Sequence, residues 1–599
     1  MIIKFIQQNF TNITLISFSV LTAIFGLTGK GQSMQVAISS IFCCWFSYYI
    51  FKTQTVKLEQ TKVVFYKYRS VVEKYAYLFL SAFIVIHLLW SGLIIFLNPY
   101  QWGYNHGDAS YFAQTLWNLT DGLRPESSYF TFCGALPKGA DPRFITSSGY
   151  VSFFSLHQYT LPLLLLAPLY AIYPYPPMHV FSLLLVVVIS GVPGMFAAIR
   201  AMGGSKFVAL MGAVGFALLP HTEVILFFKG YFDALALAVM PWVFAALFSR
   251  KWWALYLTSF CLATISFPYA YTVMFIGISA MIFFQAAFPG FVVLLIGVLL
   301  MKIDANLYIA SSLPYYTTTE NIPSFFKRYV LDRSLASLYE PFKFNVWYVL
   351  SLLQSGAFIA LFVIKKNAKW NLNILGLFAI TGLCVILMLF RSTGWEVARN
   401  VNFIVPVYVC TFKAFLDLEQ PDCRFFCQNE IVSIGFVSRT CLFFSLFFSI
   451  IWGSGFTKFQ PFASHYPFGA NAKLHMTEFT ASRRKALAKF EQYVPRDASL
   501  AFRSEGQLDA VFANRQHVWH MGREPDGVRY YLFFGTPGTE AEGAEWAALV
   551  DSKRMNSSYK LIYEDTSTPM LIFENQKAHL ITRNEEIIGW RVLRGVFHK

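Results

Sequence analysis

The sequence predicts an α-helical polytopic membrane protein with about 13 transmembrane helices, followed by a small extracytoplasmic α/β domain. Only 14% of its residues are charged, whereas a soluble protein carries about a quarter. Nearly uncharged stretches such as Val180–Ile199 and Phe207–Leu226 match the roughly 20 residues that a helix needs to cross the hydrocarbon core. Beyond Trp452 these long stretches give way to short apolar runs separated by polar residues.

The apolar stretches divide the chain into three parts. They cover residues 11–28, 33–51, 76–97, 178–199, 207–227, 231–249, 253–268, 270–286, 288–304, 345–364, 371–390, 399–416 and 431–452. Residues 1–75 are predicted to hold two accessory helices and a basic cytoplasmic loop. Residues 76–455 form the main transmembrane domain, with an outer loop at 98–177, and residues 456–599 form the α/β domain.

Basic residues predict the orientation in the membrane. The loop 52–75 carries six lysines and arginines. We therefore predict that this loop and the N-terminus lie on the cytoplasmic side of the plasma (inner) membrane. The outer loop and the C-terminal domain then face outside, provided that residues 156–173 lie in the outer interface. If that segment spans the membrane instead, every later element is inverted.

The net charge of +15 belongs to the membrane part of the chain. From Thr457 onward there are 19 basic and 16 acidic side chains, so most of the surplus lies before that residue. Positive charge in membrane loops meets anionic lipid. The charge therefore does not indicate a nucleic-acid partner.

The C-terminal part shows the alternation of a mixed α/β domain. Five runs predict strands: Ser499–Phe502, His517–Met521, Arg529–Phe534, Tyr559–Tyr563 and Met570–Glu574. A capping-box pattern at Ser504-Glu505-Gly506-Gln507 predicts the start of one helix. A second helix is predicted near Gly543–Ser552.

Asp108 is the first candidate for chemistry in the outer loop. It follows Gly107 and precedes a run in which Phe112, Leu116 and Leu119 share one helical face. An aspartate at this place suits a helix N-cap, whose carboxylate accepts hydrogen bonds from first-turn amides. It equally suits a general base at the mouth of an outer cavity, where burial tunes its basicity. The spacing does not separate the two roles, and both can hold at once.

Two histidines and a second aspartate accompany Asp108. His106 and His157 lie in the same loop, and the predicted topology puts Asp233 at the outer end of its helix. Carboxylates suit a divalent cation such as Mg or Mn, for which Asp108 and Asp233 are the predicted ligands. The alternative reading makes the histidines structural and Asp233 a helix N-terminal acid favoured by the dipole.

Basic side chains are also predicted on the outer side, where topology does not require them. They include Lys229, Arg391 and Arg399. As a set they suit a phosphate or diphosphate headgroup, with which Lys and Arg pair strongly. Each one alone is better explained by snorkelling to ordinary anionic lipid.

Several motifs are absent from the sequence. It has no G-x-x-x-x-G-K and no G-x-G-x-x-G, so no nucleotide cofactor is predicted. It has no H-E-x-x-H and no G-x-S-x-G, which argues against common protease and esterase chemistry. The predicted spans hold almost no charges at their centres, which argues against a proton-coupled transporter.

Three segments together resemble a known group of proteins. They are the run from Asp108 to Asn118 (DASYFAQTLWN), the run from Leu156 to Pro162 (LHQYTLP), and Tyr231-Phe232-Asp233. In this order they resemble a large family of uncharacterised bacterial and archaeal membrane proteins, a domain of unknown function grouped with the GT-C glycosyltransferases. The resemblance covers roughly residues 76–420. This chain departs from the family at Tyr231-Phe232-Asp233, where the family tends to show a His-Pro-Glu-like triplet.

The resemblance implies a sugar transferase with Asp108 as the catalytic base. The donor would be a sugar on a polyprenyl phosphate, and the acceptor an unidentified glycan, lipid or protein. The catalytic set would be completed by Asp233 and His157. Substrate-binding residues would be His106, Gln114, Trp117, Lys229, Arg391 and Arg399.

Two other functions fit the same sequence. The first is a non-catalytic envelope protein that keeps the fold in order to bind lipid carrier or glycan. The second is a transporter, against which the uncharged span interiors argue.

Overall fold

A computed structural model gives the structure of the chain in separate stretches. It describes residues 69–97, 107–120, 126–127, 151–152, 163–218, 232–265, 267–307, 404–418, 424–427, 430–433, 485–504, 517–521, 526–534, 540–565 and 570–579, with shorter pieces at 222, 376, 379–383, 515 and 524. The predicted spans at 11–28, 33–51 and 345–364, and nearly all of the span at 431–452, lie outside these residues. The predicted count of about 13 helices therefore stays a prediction.

The main helices, numbered in chain order, are α1 (Ala76–Leu97), α2 (Gly107–Thr120), α3 (Leu163–Ile172), α4 (Pro176–Val186), α5 (Val192–Ala201), α6 (Lys206–Ala217), α7 (Leu235–Ser249), α8 (Trp252–Ala263), α9 (Phe267–Ile282), α10 (Ala287–Leu307), α11 (Ile404–Leu418), α12 (485–493) and α13 (Glu540–Met555). The strands are β1 (Glu126–Ser127), β2 (Val151–Ser152), β3 (Arg424–Cys427), β4 (Glu430–Ser433), β5 (Ser499–Ser504), β6 (His517–His520), β7 (Tyr530–Phe534), β8 (Tyr559–Asp565) and β9 (Met570–Asn575).

Three of the described helical segments are long and apolar enough to cross a membrane. They are Ala76–Leu93, Pro177–Ala201 and Phe232–Ser249. Their positions confirm the helices predicted at 76–97, 178–199 and 231–249. Because only 28% of the first segment is buried inside the protein, most of α1 presents apolar side chains that suit contact with lipid.

Two predicted spans differ from the structure. Helix α6 was expected to continue to residue 227 but ends at Ala217, and Leu218 leaves helical geometry with φ −90° and ψ 4°. The sequence explains the early end, because Pro220 cannot continue a helix. The span expected from residue 431 begins with β4, which pairs with β3 in an antiparallel hairpin.

Helix α3 bears on the predicted topology. It has ten residues, from Leu163 to Ile172, and is therefore about 15 Å long. That is half the thickness of a hydrocarbon core of about 30 Å. The length agrees with the expectation that this segment does not span the membrane, while its place in the outer interface stays a prediction.

The longest described apolar segment contains a widened turn. A π-helical stretch, Val187–Gly191, joins α4 to α5 without a break. Pro193 follows it in the first turn of α5. Proline has no amide hydrogen to donate and its ring clashes with the carbonyl four residues earlier, so the ordinary helical hydrogen bonding cannot pass through it. The wider π turn accommodates this interruption.

The widened turn is the place where this segment crosses α7. The Ser190 hydroxyl donates a hydrogen bond of 3.0 Å to the carbonyl of Ala238. The Trp242 indole donates to the Ser190 carbonyl at 2.9 Å. At Gly191 a β-carbon would collide with the carbonyl oxygen of Leu237, so only glycine lets the two backbones approach this closely.

The C-terminal strands form one mixed sheet in the order β6-β5-β7-β9-β8. Strand β5 pairs in parallel with β6 and β7, while β9 pairs antiparallel with β7 and β8. These five strands and α13 confirm the predicted elements, whereas the helix predicted from Ser504 lies outside the described residues. The boundaries of a separate domain and its extracytoplasmic location stay predictions.

Both faces of this sheet are covered. Phe502 and Leu532 on one face belong to the same buried cluster as Phe490 of α12 and the membrane helices. Tyr531 and Phe533, on the opposite face, form a second cluster with α13. Successive strand residues point to opposite faces, so the continuous apolar run of β7 contributes side chains to two different cores.

The crossing of α4–α5 with α7 predicts an unusual sensitivity to one methyl group. We expect Gly191→Ala to lower the free energy of unfolding by about 1–3 kcal/mol, because the clash is with backbone that cannot rotate away. The measurement is thermal unfolding of the purified protein in detergent. The matched control is Gly382→Ala, where the new β-carbon meets no described atom within 4 Å. Equal unfolding temperatures for the two variants would contradict the close crossing.

Candidate functional site

Helix α2, the first element of the outer loop, is polar yet buried. Gln114, Thr115 and Asn118 are each fully buried, and so are the apolar residues on the other side of the helix. Burying a polar side chain without a partner costs a few kcal/mol, and each of these three makes at least one polar or electrostatic interaction in the structure. An ordinary helix of a membrane protein would carry apolar residues here, so α2 is the most distinctive helix of the described structure.

Asp108 is the second residue of this helix. Its backbone lies one helical turn before Phe112, while its side chain lies outside the description. The helical run predicted after Asp108 is confirmed, but α2 begins two residues earlier than an N-cap at Asp108 requires, so Asp108 lies within its first turn. Whether the carboxylate caps the helix or faces a cavity stays a prediction.

An aromatic cluster joins the start of α2 to the segment that carries Asp233. The rings of Phe112 and Phe232 meet edge to face, with centroids 4.6 Å apart. The buried ring of His179, from α4, completes the cluster at 5.2 Å from Phe232 and 6.0 Å from Phe112. Such ring pairs contribute about 0.5–1.5 kcal/mol beyond the burial of their surface. Three separate elements are therefore held together around the first turns of α2.

Asp233 follows Phe232 directly in a short 3-10 turn that leads into α7. It is partly buried, and its backbone carbonyl accepts a hydrogen bond of 3.2 Å from the Tyr269 hydroxyl of α9. The first turn of a helix favours a carboxylate through the helix dipole. This placement fits both the structural and the functional interpretation of Asp233.

The described residues do not make up a metal site. Among them, no group of three or more His, Cys, Asp or Glu side chains could hold an ion. The Asp108 side chain lies outside the description, so the predicted pair of Asp108 and Asp233 as metal ligands stays a prediction.

The side of α2 opposite Phe112 contacts the C-terminal part of the chain. The Gln114 amide donates a long hydrogen bond of 3.5 Å to the carbonyl of Arg515. The guanidinium carbon of Arg496 lies 5.7 Å from the centroid of the partly buried Trp117 ring. This is the range of a cation–π contact. Both predicted substrate residues, Gln114 and Trp117, are thus in contact with the region around the C-terminal sheet.

Glu491 of α12 is the carboxylate at the centre of this interface. It accepts a hydrogen bond of 3.2 Å from the hydroxyl of Tyr175, the residue before α4. Burial, and then the negative charge of Glu491, raise the pKa of Tyr175 to about 12. The phenol therefore remains a neutral donor at physiological pH.

Arg515 is the fully buried partner of Glu491. Its two terminal nitrogens lie 3.2 and 3.3 Å from the carboxylate oxygen Oε1. One of them also donates to the Val494 carbonyl at 3.0 Å. Burial lowers the pKa of Arg515, and the charge of Glu491 opposes that shift. A buried guanidinium requires such a partner.

Five of the residues predicted for the site lie outside the described structure: His106, His157, Lys229, Arg391 and Arg399. Sequence reasoning in turn missed His179, Tyr175, Glu491, Arg496 and Arg515. No local pattern marks these residues, because their contacts join separate segments of the chain: Arg515 and Glu491 are 24 positions apart, and Tyr175 and Glu491 are 316 apart.

Comparisons with known proteins add two distant likenesses. No protein-family model and no curated protein sequence matches the chain. The solved structure of ArnT from Cupriavidus metallidurans, bound to undecaprenyl phosphate, aligns with 83% of this chain and 99% of its own length, at a TM-score of 0.47 and 12% identity. An oligosaccharyltransferase from Archaeoglobus fulgidus, tethered to an acceptor peptide, aligns with 86% of this chain and 76% of its own, at 0.31 and 13%. Both TM-scores are below 0.5, so neither likeness carries an argument about fold or activity.

The aromatic cluster predicts energetic coupling between the two segments that carry the aspartates. Phe112→Leu and Phe232→Leu should each destabilise the protein, and the double variant should lose about 0.5–1.5 kcal/mol less than the sum. Denaturant unfolding in detergent measures this coupling. The control pair is Phe112→Leu with Phe533→Leu, because Phe533 belongs to the separate second cluster. Simple additivity in both pairs would show that the rings do not interact.

Proposed function

We propose that this protein is an integral-membrane glycosyltransferase. It moves a sugar from a polyprenyl-phosphate donor to an acceptor hydroxyl at the outer face of the plasma membrane. The observation that carries the proposal is the packing of α2 against the Asp233 segment through Phe112 and Phe232. This packing brings the segment of Asp108 close to the segment of Asp233, and both segments belong to the GT-C-like pattern.

Two further observations support the proposal. The buried polar face of α2 is unfavourable in a membrane protein and is typical of a functional element. The resemblance of the runs around Asp108, His157 and Asp233 to the GT-C glycosyltransferases covers the same part of the chain. A lipid-linked donor also needs no nucleotide cradle, and the sequence has no such motif.

The reaction is a displacement at the anomeric carbon of the donor sugar. Asp108 accepts the proton of the acceptor hydroxyl, and the acceptor oxygen forms a bond to that carbon. The bond from the carbon to the phosphate oxygen breaks, and polyprenyl phosphate leaves with the electron pair. A positioned general base of this kind contributes about 10²–10⁴-fold in rate. Asp233 and His157 are proposed to complete the catalytic set.

The basic residues have a complementary role in this mechanism. Lys229, Arg391 and Arg399 are proposed to bind the donor phosphate, whose negative charge increases as the sugar leaves. Cationic donors directed at developing charge stabilise such a transition state. His106, Gln114 and Trp117 are proposed to contact the substrate nearby. For Gln114, which is fully buried in this structure, that role would require α2 to shift when the donor binds.

The direct test is Asp108→Asn in purified protein reconstituted with a panel of polyprenyl-phosphate sugars. We expect release of polyprenyl phosphate to fall at least about 100-fold, because the amide cannot accept the proton. The matched control is Asp551→Asn on the exposed side of α13, which should leave turnover unchanged. Unfolding temperature and gel filtration show that each variant is folded.

Two results would reject parts of this proposal. Unchanged turnover in a folded Asp108→Asn protein would remove this residue from the mechanism. Binding of undecaprenyl phosphate without turnover of any donor by the wild-type protein would favour the non-catalytic lipid-binding alternative.

A further inference from the structure

We propose that Glu491 is a positioning residue for helix α2, through which the C-terminal part of the chain controls the placement of the Asp108 helix. Nothing in the sequence pattern assigns a role to Glu491. The proposal rests on its contacts, on the burial of Arg515, and on the fact that three different segments meet at one carboxylate.

The first step is the number of donors that Glu491 gathers. Its oxygen Oε1 accepts from Tyr175 at 3.2 Å and from Arg515 at 3.3 Å. Its oxygen Oε2 accepts from the Nε of Arg496 at 3.4 Å. The side chain of Glu491 is 22% exposed, compared with 51% for Arg496 and 0% for Arg515. Glu491 therefore lies at the edge of a buried interface, and its carboxylate faces the buried positive charge of Arg515.

The second step connects these donors to α2. Arg515 offers its carbonyl to Gln114, and Arg496 lies over the ring of Trp117. Both arginines bound by Glu491 therefore contact α2. Positions 114 and 117, which they contact, are three residues apart and lie next to each other on the helix surface. The third donor, Tyr175, precedes α4, whose His179 packs on Phe112, on the opposite side of α2. Each of the three donors to Glu491 therefore belongs to a segment that also contacts α2.

The third step is energetic. Arg515 stacks on the ring of Phe490, with 4.5 Å between the guanidinium carbon and the ring centroid, and has no exposed surface. Removing one member of a buried charge pair leaves the other charge uncompensated, and this costs more than the pair itself contributes. Without the charge of Glu491 we expect Arg515 to move toward solvent and to take its carbonyl away from Gln114. Loss of the Glu491 charge should therefore weaken the contacts of α2, and not only those within the C-terminal sheet.

The test measures hydrogen–deuterium exchange in full-length protein in detergent. In Glu491→Gln the shape of the side chain is kept and its charge is removed. We expect exchange of the α2 amides to accelerate at least about fivefold, while exchange in β5–β9 stays unchanged. The control is Glu564→Gln, which breaks the comparable exposed pair with Arg554, 2.7 Å long, and should leave α2 unchanged.

A second variant keeps the test decisive if Glu491→Gln also loosens the sheet. Arg496→Ala removes a half-exposed side chain and leaves the buried pair of Arg515 and Glu491 in place. It should accelerate exchange in the α2 peptide that contains Trp117, by about twofold or more. Unchanged α2 exchange in both variants, with the protein folded, would overturn the proposal.

An activity measurement extends the test and rests on the proposed glycosyltransferase function. Because Glu491 acts through α2, Glu491→Gln should lower kcat about tenfold and change the KM for the polyprenyl-phosphate sugar less than about twofold. Equal loss through KM would point to direct donor binding and contradict positioning. If the wild-type protein shows no turnover, the proposed function fails, while the exchange experiment still decides the role of Glu491.

Discussion

The close crossing of the α4–α5 segment with α7 is the constraint on which the rest of the described structure depends. Pro193 interrupts the helical hydrogen bonds, and the π turn before it turns the carbonyl of Ser190 toward the indole of Trp242. Gly191 then allows the two backbones to touch. Since these two segments also carry His179 and Phe232, their spacing fixes where α2 can pack. One glycine and one proline thus determine the position of His179, roughly three to four helical turns away along the same segment.

The second feature of the structure is the location of its buried polar side chains. Most of the described helices bury apolar surface, whereas α2 buries three polar side chains and α12 buries a guanidinium against one carboxylate. Interactions of this kind contribute little net stability compared with apolar packing of equal volume. Their retention is best explained by a demand for geometry, because hydrogen bonds and charge pairs restrict orientation in a way that apolar contacts do not. The polar interface and the aromatic cluster contact opposite sides of the same helix.

The sequence alone was sufficient for elements that depend on local periodicity. Helix α1 has the bounds that hydropathy predicts, and the short continuous apolar run of β7 correctly predicts a buried strand. Where a single residue overrides the pattern, prediction fell short: Pro220 ends α6 early, and the π turn before Pro193 has no hydropathy signal. For the site, the helical run of α2 was predictable from the spacing of Phe112, Leu116 and Leu119, but the pairing of Glu491 with Arg515 was not, because a charge pair between two separate elements has no fixed spacing in the sequence.

The contact between Gln114 and Arg515 also has a consequence for biosynthesis. The two residues are 401 positions apart, and translation proceeds at about 5–20 residues per second, so roughly 20–80 s separate their emergence from the ribosome. During that interval α2 is already made while its C-terminal partner does not yet exist. A nascent or prematurely terminated chain therefore contains this helix without its C-terminal partner, and translation beyond Arg515 becomes a condition for completing the contacts of α2.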